Sequence, residues 1–125
     1  MIDFNNNATF AKLAPSDPNA AWEALQGILV PDEEIHLAFR GVRDSVTFTN
    51  KRIVTLNVQG ITGKKKDYTS LPYSRIQAFS VETAGIFDLD SELDLWFSGL
   101  GMVRLEFNRD VDIRSVNHFI ANRVL

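Results

Sequence analysis

The chain has no cysteine among its 125 residues. Disulfides, thiolate nucleophiles and zinc–thiolate sites are therefore excluded. No apolar run approaches the ~18 residues a membrane span needs. The opening "MIDFNNNATFAK" offers neither a basic leader nor an apolar core, so no signal peptide is expected. A basic excess is also missing: the net charge is −3, the wrong sign for a general nucleic-acid binder. The expectation is one soluble, cytoplasmic domain, long enough to bury roughly two-thirds of its unfolded surface.

Charge is segregated along the chain. Residues 1–34 hold one Lys against six acids, residues 35–80 hold eight basic residues against two acids, and residues 81–125 hold four Arg against eight acids. A basic middle thus lies between acidic ends, and this matters more than the total.

Periodicity divides the chain into elements. Residues 1–16, with the run Asn5-Asn6-Asn7, read as a loosely held lead-in to a single domain over 17–125. Asp17-Pro18 supplies an N-cap and a first-turn proline. The spacing of Trp22, Leu25, Ile28 and Leu29 then predicts an amphipathic helix over 18–30, stopped by Pro31. From Glu34 the period becomes two. Strands are predicted at 35–40, 46–49, 54–58, 66–71, 76–82, 92–97 and 102–107, with Gly60 and Gly63 bracketing one turn. Phe39, Val46 and Phe48 are predicted to point inward. The pattern fits an antiparallel sandwich or small barrel within residues 34–108. A closing helix is predicted over 111–124, capped by Asp110, with Ile113, Val116, Ile120 and Val124 on one face. Asp112 in its first turn and Arg123 in its last suit the helix dipole.

Several stretches suggest chemistry, and each has a plainer reading. "FRGVRDSVTFTNKR" concentrates Arg40, Arg43, Lys51 and Arg52 in an acidic chain. Its first turn is too short to wrap a phosphate headgroup, and Asp44 offsets part of the field of Arg43. "GITGKKK" lacks the four residues between glycines, and the Ser or Thr after Lys, that a Walker-type loop requires. Strand flanks argue against a KH-type clamp. Lys64, Lys65 and Lys66 read instead as a solvated hairpin tip that also discourages pairing of the strand edge with other chains. "DLDSELD" opens like an EF-hand loop, but Leu93 stands where Gly is required and Gly99 where the closing Glu belongs. Asp90, Glu92 and Asp94 are better read as an outward strand face. His36 and His118 are both expected to be exposed, away from any nucleophile. Neither a G-x-S-x-G nor a G-x-G-x-x-G word occurs. Catalysis, metal binding and a cofactor are not expected.

Element order and particular words now converge. "GVRDSVTFTNKRIVTLNVQGITGKKKDYTSLPYSRI" followed by "FSVETAGIFDLDSELDLWFSG" resembles the bacterial pleckstrin-homology domain family, from about Gly27 to the C-terminus. The resemblance implies a mainly β, strongly bent barrel of two near-orthogonal antiparallel sheets, seven strands in all, with a C-terminal helix plugging one end. It implies no catalytic activity. It also implies homo-oligomeric rings, with a pentamer as the expected size.

Two functional expectations follow. The first is a non-enzymatic, self-associating interaction module whose main partner is itself, with Asp90, Glu92, Asp94 and the aromatic Trp96 as interface residues; the alternative for Trp96 is a place under the N-terminal helix. The second is a peripheral membrane module that meets anionic lipid headgroups through Arg40, Arg43, Lys51, Arg52, Lys64, Lys65 and Lys66.

Overall fold

A computed structural model describes residues 1–5 and 10–125 of the chain. The elements run β1 (Ala14–Pro15), α1 (Pro18–Ala24), β2 (Ile35–Arg40), β3 (Asp44–Thr49), β4 (Arg52–Gln59), β5 (Lys65–Pro72), a short 3-10 turn (Tyr73–Arg75), β6 (Ile76–Glu82), β7 (Ser91–Phe97), β8 (Gly101–Phe107) and α2 (Ile113–Val124). β1 to β5 form one antiparallel sheet in chain order, and β6 to β8 form a second. All seven predicted strands are present. The two-residue β1 is an addition.

The core lies between the two sheets. Phe39 pairs with Val46, and Phe48 with Ile53, so these four share the inner face of the larger sheet. They meet Leu93, Leu95, Val103, Leu105 and Phe107 from the smaller one. Phe39 is the aromatic hinge of this layer, with ring centroids 5.8 Å from Phe48 and 4.9 Å from Phe107, both edge-on. α2 closes one end: Ile113, Val116 and Ile120 are buried, as their spacing requires. Its ring of Phe119 lies near those of Phe48 and Tyr73.

The cap of α2 is not the one expected. Asp112, at φ −80°, accepts from Arg114 N and Ser115 N, while Ser115 Oγ donates back to Asp112 at 2.8 Å. Asp110 instead belongs to the preceding turn, its N–H donating to Asn108. A three-residue spacing from Asp112 to Ser115 lets one carboxylate serve two partners, an arrangement Asp110 cannot offer.

The lead-in is also different from expectation. Asn6 and Asn7 lie outside the described residues, but Ile2, Phe10 and Leu13 are buried in the main core. Residues 10–13 run along the outer edge of β8, with Leu13 N donating to Glu106 O, Glu106 N to Phe10 O and Asn108 N to Leu13 O. Ala14–Pro15 then crosses to pair with β2. One short segment therefore joins the edges of the two sheets, which satisfies backbone groups that would otherwise be exposed.

α1 is shorter than predicted. It ends at Ala24, and Gly27 at φ +79° carries the chain away from the helical axis. None of its seven residues is buried, and Trp22 points to solvent. Leu25, just after the helix, is 2% exposed yet outside the main core, and α1 faces the outer side of the larger sheet. There, Ala38, Thr47 and Val54 share one face by register and are all buried. The larger sheet is thus covered on both faces over part of its area.

Truncating the lead-in should reveal its place in the core. Phe10→Ala is expected to lower unfolding stability by about 3–5 kcal/mol and Leu13→Ala by about 2–5. Urea denaturation would show this as a lower midpoint with an unchanged slope. Ile120→Asp, which places an unpaired carboxylate under α2, should abolish folding. A midpoint that Phe10→Ala leaves unmoved would mean the segment is not part of the core.

Candidate functional site

The seven basic residues proposed from the sequence separate into two groups at opposite ends of the larger sheet. Arg52 and Lys51 sit at the β3–β4 turn. Arg52 is occupied there. Its Nε donates to Glu33 Oε2 at 2.9 Å and its Nη2 to Glu33 Oε1 at 2.8 Å, a two-pronged pair. Nη1 donates to Ser70 Oγ and Nη2 also to the carbonyl of Ile28, each at 2.8 Å. Glu33 also accepts from Thr49 Oγ1 at 2.6 Å and from Val30 N at 3.1 Å, and its side chain is 0% exposed. Hydrogen bonding from Arg52, with help from Thr49, Val30 and the Arg52 charge, outweighs burial and holds the Glu33 carboxyl down at about 2. Tyr73 completes the cluster by donating its phenol to Thr49 O at 2.6 Å. Burial pushes that phenol above its ordinary range. Arg52 is therefore a structural residue, and of the two proposed residues at this end Lys51 alone is exposed.

Arg40, Arg43, Lys64, Lys65 and Lys66 lie at the other end. Val58 N donates to Arg43 O at 2.7 Å, and Arg43 Nη2 donates to Gly60 O at 2.6 Å. These bonds lock the β2–β3 tip against the β4–β5 tip, so all five cations share one rim. Val42 and Ile61 stand fully exposed on the same two tips. Gly60 and Gly63 have φ of +76° and +70°, which is why the β4–β5 turn needs glycine at both places. Asp44 does not neutralise this rim directly. Its Oδ2 accepts from Phe10 N at 2.7 Å, while Oδ1 is buried with no partner among the described residues. Burial raises its pKa above the ordinary aspartate value, against the opposing bond from Phe10 N.

Beside this rim is a cavity of about 340 Å³ between α1 and the outer face of β2–β4. Ala20, Ala21 and Ala24 form one wall, and Leu56, Val58 and Thr47 the other. Arg40 and Arg43 stand among its lining residues.

The acidic residues form a different surface. Register places Glu82, Glu92 and Glu106 in one row across the smaller sheet, Ser80, Asp94 and Arg104 in the next, and Ala78, Trp96 and Met102 in a third. All project from the face away from the core. Arg104 binds Asp94 through Nε and Nη2 at 2.9 and 3.0 Å and lies 3.3 Å from Glu92. Burial raises Glu92, and Asp94, Glu82 and Glu106 add to it against the opposing Arg104. Trp96 is 39% exposed on this face and does not lie under α1, which covers the other sheet. Asp90 is apart from the rows, paired with Lys12 at 3.2 Å. Arg104 and Lys12 were not singled out from the sequence. The strand alternation around Asp94 would have pointed to Arg104 had the β7–β8 register been worked out.

His36 and His118 are exposed, as expected. Among the described residues no group of three or more His, Cys, Asp or Glu side chains is placed to hold a metal ion. Among the described residues no helix is long and apolar enough to cross a membrane.

Two antiparallel sheets around a single core, with a C-terminal helix plugging one end and charged hairpin tips at the other, make this a pleckstrin-homology-like barrel. The family model for the bacterial PH domain matches residues 5–124, and the chain belongs to that family. It is 47% identical over 104 residues to the uncharacterized protein YjqA of Bacillus subtilis, covering 82% of this chain and 83% of that one. Identity to the uncharacterized protein YozO of the same organism is 36% over 100 residues, covering 80% and 86%. Among solved structures, a DUF1696 family protein with a pleckstrin-homology domain from Shewanella loihica superposes with a TM-score of 0.81 at 40% identity, covering 92% of this chain and 99% of that one. A pleckstrin homology domain from Shewanella amazonensis gives 0.68 at 40% identity, covering 97% and 94%.

The Glu33–Arg52 pair sets an acid limit on stability. Because the folded Glu33 carboxyl sits near 2, below its unfolded value of ~4.3, its contribution is fully present above about pH 5. That contribution is lost as pH falls toward 2. Glu33→Gln should therefore cost about 3 kcal/mol at pH 7, the low end for breaking a buried pair, since Arg52 keeps 20% of its exposure. The same substitution should flatten the fall in stability between pH 5 and pH 2. Urea midpoints measured across that range would check both, and an unchanged acid slope would remove Glu33 from the account.

Proposed function

We propose that the chain is a non-enzymatic, self-associating interaction module whose copies close into a ring. The observation that supports this reading is the outer face of the smaller sheet. No helix covers it among the described residues, and it carries Trp96 and Met102 beside Glu82, Glu92, Asp94 and Glu106. Four carboxylates surround Arg104 as the one cation within those rows. The cationic rim of Arg40, Arg43 and Lys64–Lys66 lies elsewhere on the same molecule. Two unlike surfaces of opposite charge favour a head-to-tail contact, and such contacts close into rings when the rotation allows. Exposed ion pairs contribute only ~0–1 kcal/mol each, so apolar groups such as Trp96 must carry most of the affinity.

A second reading has its own observation. Val42 and Ile61 project fully from tips bearing five cations, an arrangement that suits the surface of an anionic bilayer. Each basic residue reaching such a surface adds about 1 kcal/mol.

Light scattering after size exclusion should report a mass several times that of one chain, retained at moderate salt. Trp96→Ala, or Glu92→Lys with Asp94→Lys, should reduce that mass and leave the circular dichroism spectrum unchanged. A monomer at tens of micromolar in low salt would eliminate the ring. Co-sedimentation with phosphatidylserine-containing but not neutral vesicles, lost with Lys64→Glu and Lys66→Glu and in high salt, would favour the membrane reading instead.

A further inference from the structure

The chain carries an apolar knob and an apolar groove, both unoccupied by its own residues. The knob is the β6–β7 turn. Gly85 N donates to Asp88 O at 2.7 Å and Asp90 N donates to Asp88 Oδ1 at 3.0 Å, so the turn is closed at its base. Its two central residues, Ile86 and Phe87, are 88% and 101% exposed. Two large apolar side chains held fully in water on a closed turn are an unusual cost for a monomer. Acidic residues surround them: Asp88 directly follows Phe87, and Glu82 and Asp90 flank the turn.

The groove is the 340 Å³ cavity under α1. Its helix wall is Ala20, Ala21 and Ala24, short side chains that leave the space open, and the buried Leu25 lies beyond the helix end, outside the lining. Helix–sheet layers ordinarily fill such space to crystal-like density, and at the low end of the ~300–1,000 Å³ of ligand pockets it suits one or two large side chains. Arg40 and Arg43 stand among its lining residues. Arg40 has no carboxylate partner among the described residues, and Arg43 bonds only a backbone carbonyl. Asp44 also lines the groove, its Oδ2 accepting from Phe10 N, so two cations stand against one carboxylate and both apolar shape and charge sign match the turn at residues 85–90.

We infer that the groove receives the Ile86–Phe87 turn of a second copy, with Asp88 of that copy meeting Arg40 or Arg43. Both surfaces are open in the same molecule, so the chain does not fill its own groove. Each copy offers one knob and one groove, which makes the contact head-to-tail and able to propagate from copy to copy. The closed turn presents its knob already shaped, which lowers the ordering cost of association. This contact rests on the self-association reading above and adds a second pair of surfaces, both required, beside the Trp96 face.

The test uses the full chain and light scattering after size exclusion. Phe87→Ser removes the knob at a fully exposed position, and Ala24→Phe fills the groove from an exposed helix position. Each should reduce the assembly to the 14.1 kDa of one chain. Mixing the two variants should then give a one-to-one pair, since one still has a groove and the other still has a knob. Arg40→Glu alone should dissociate the assembly, and adding Asp88→Arg to it should restore the mass, which a folding defect could not do. If wild type assembles and both single variants keep its mass, the ring stands and this contact is overturned. Loss of mass with Phe87→Ser but not Ala24→Phe would equally overturn it, leaving the groove to a small amphipathic ligand. A mixture that stays monomeric also refutes the pairing. A monomeric wild type refutes both the contact and the ring.

Discussion

The two-pronged bond between Glu33 and Arg52 organises one end of this barrel. Through it, the connection after α1 is tied to the β3–β4 turn, and through Ser70 to β5. Thr49 is the pivot: its hydroxyl donates to Glu33 and accepts from Lys51 N and Arg52 N, while its carbonyl accepts from Tyr73. Tyr73 in turn packs near Phe119 of α2. A buried ion pair is weak evidence of net stability, because desolvation offsets much of the attraction. Its effect here is geometric. The donors of Arg52 reach both the connection after α1, at Ile28 and Glu33, and β5, at Ser70, so these segments cannot shift independently.

That closed end explains the character of the open one. With Arg52 occupied and α2 filling the space above Tyr73, the remaining basic residues of the middle segment gather mainly at the opposite tips. There the β2–β3 and β4–β5 turns are linked by Arg43 and are otherwise free to display charge. The lead-in makes the same division on the smaller sheet. By covering the edge of β8 it removes one site of unwanted strand pairing and leaves the outer face, with Trp96 and Glu92, as the surface available to others.

The strands were legible because period-two alternation is a local signal, and the closing helix because Ile113, Val116 and Ile120 repeat at helical spacing. The faces of the larger sheet were harder to read. Thr47, Thr49, Thr55 and Thr69 are all buried, although a polar residue in an alternating strand normally indicates solvent. Their β-branched shape packs well, and Thr49 and Thr69 find internal acceptors. Burial of Val54 and Leu56 on the outer side breaks the simple alternation further, since a sheet covered on both faces has no polar side to mark it.

Arg52 shows why a cluster of charges in sequence is not yet a site. It stands beside Lys51 in the chain, but its fate is decided by Glu33, 19 residues earlier. A carboxylate with no local helical or strand relation to an arginine leaves no periodic trace. The groove was hidden for the complementary reason: alanines at 20, 21 and 24 read as ordinary helix formers, and only the fold sets their short side chains opposite Thr47, Leu56 and Val58. Side chains that are missing from an interface can define a surface as firmly as those present. Three alanines in the helix wall leave the space that larger side chains would fill, so a short helix covers the sheet without sealing it.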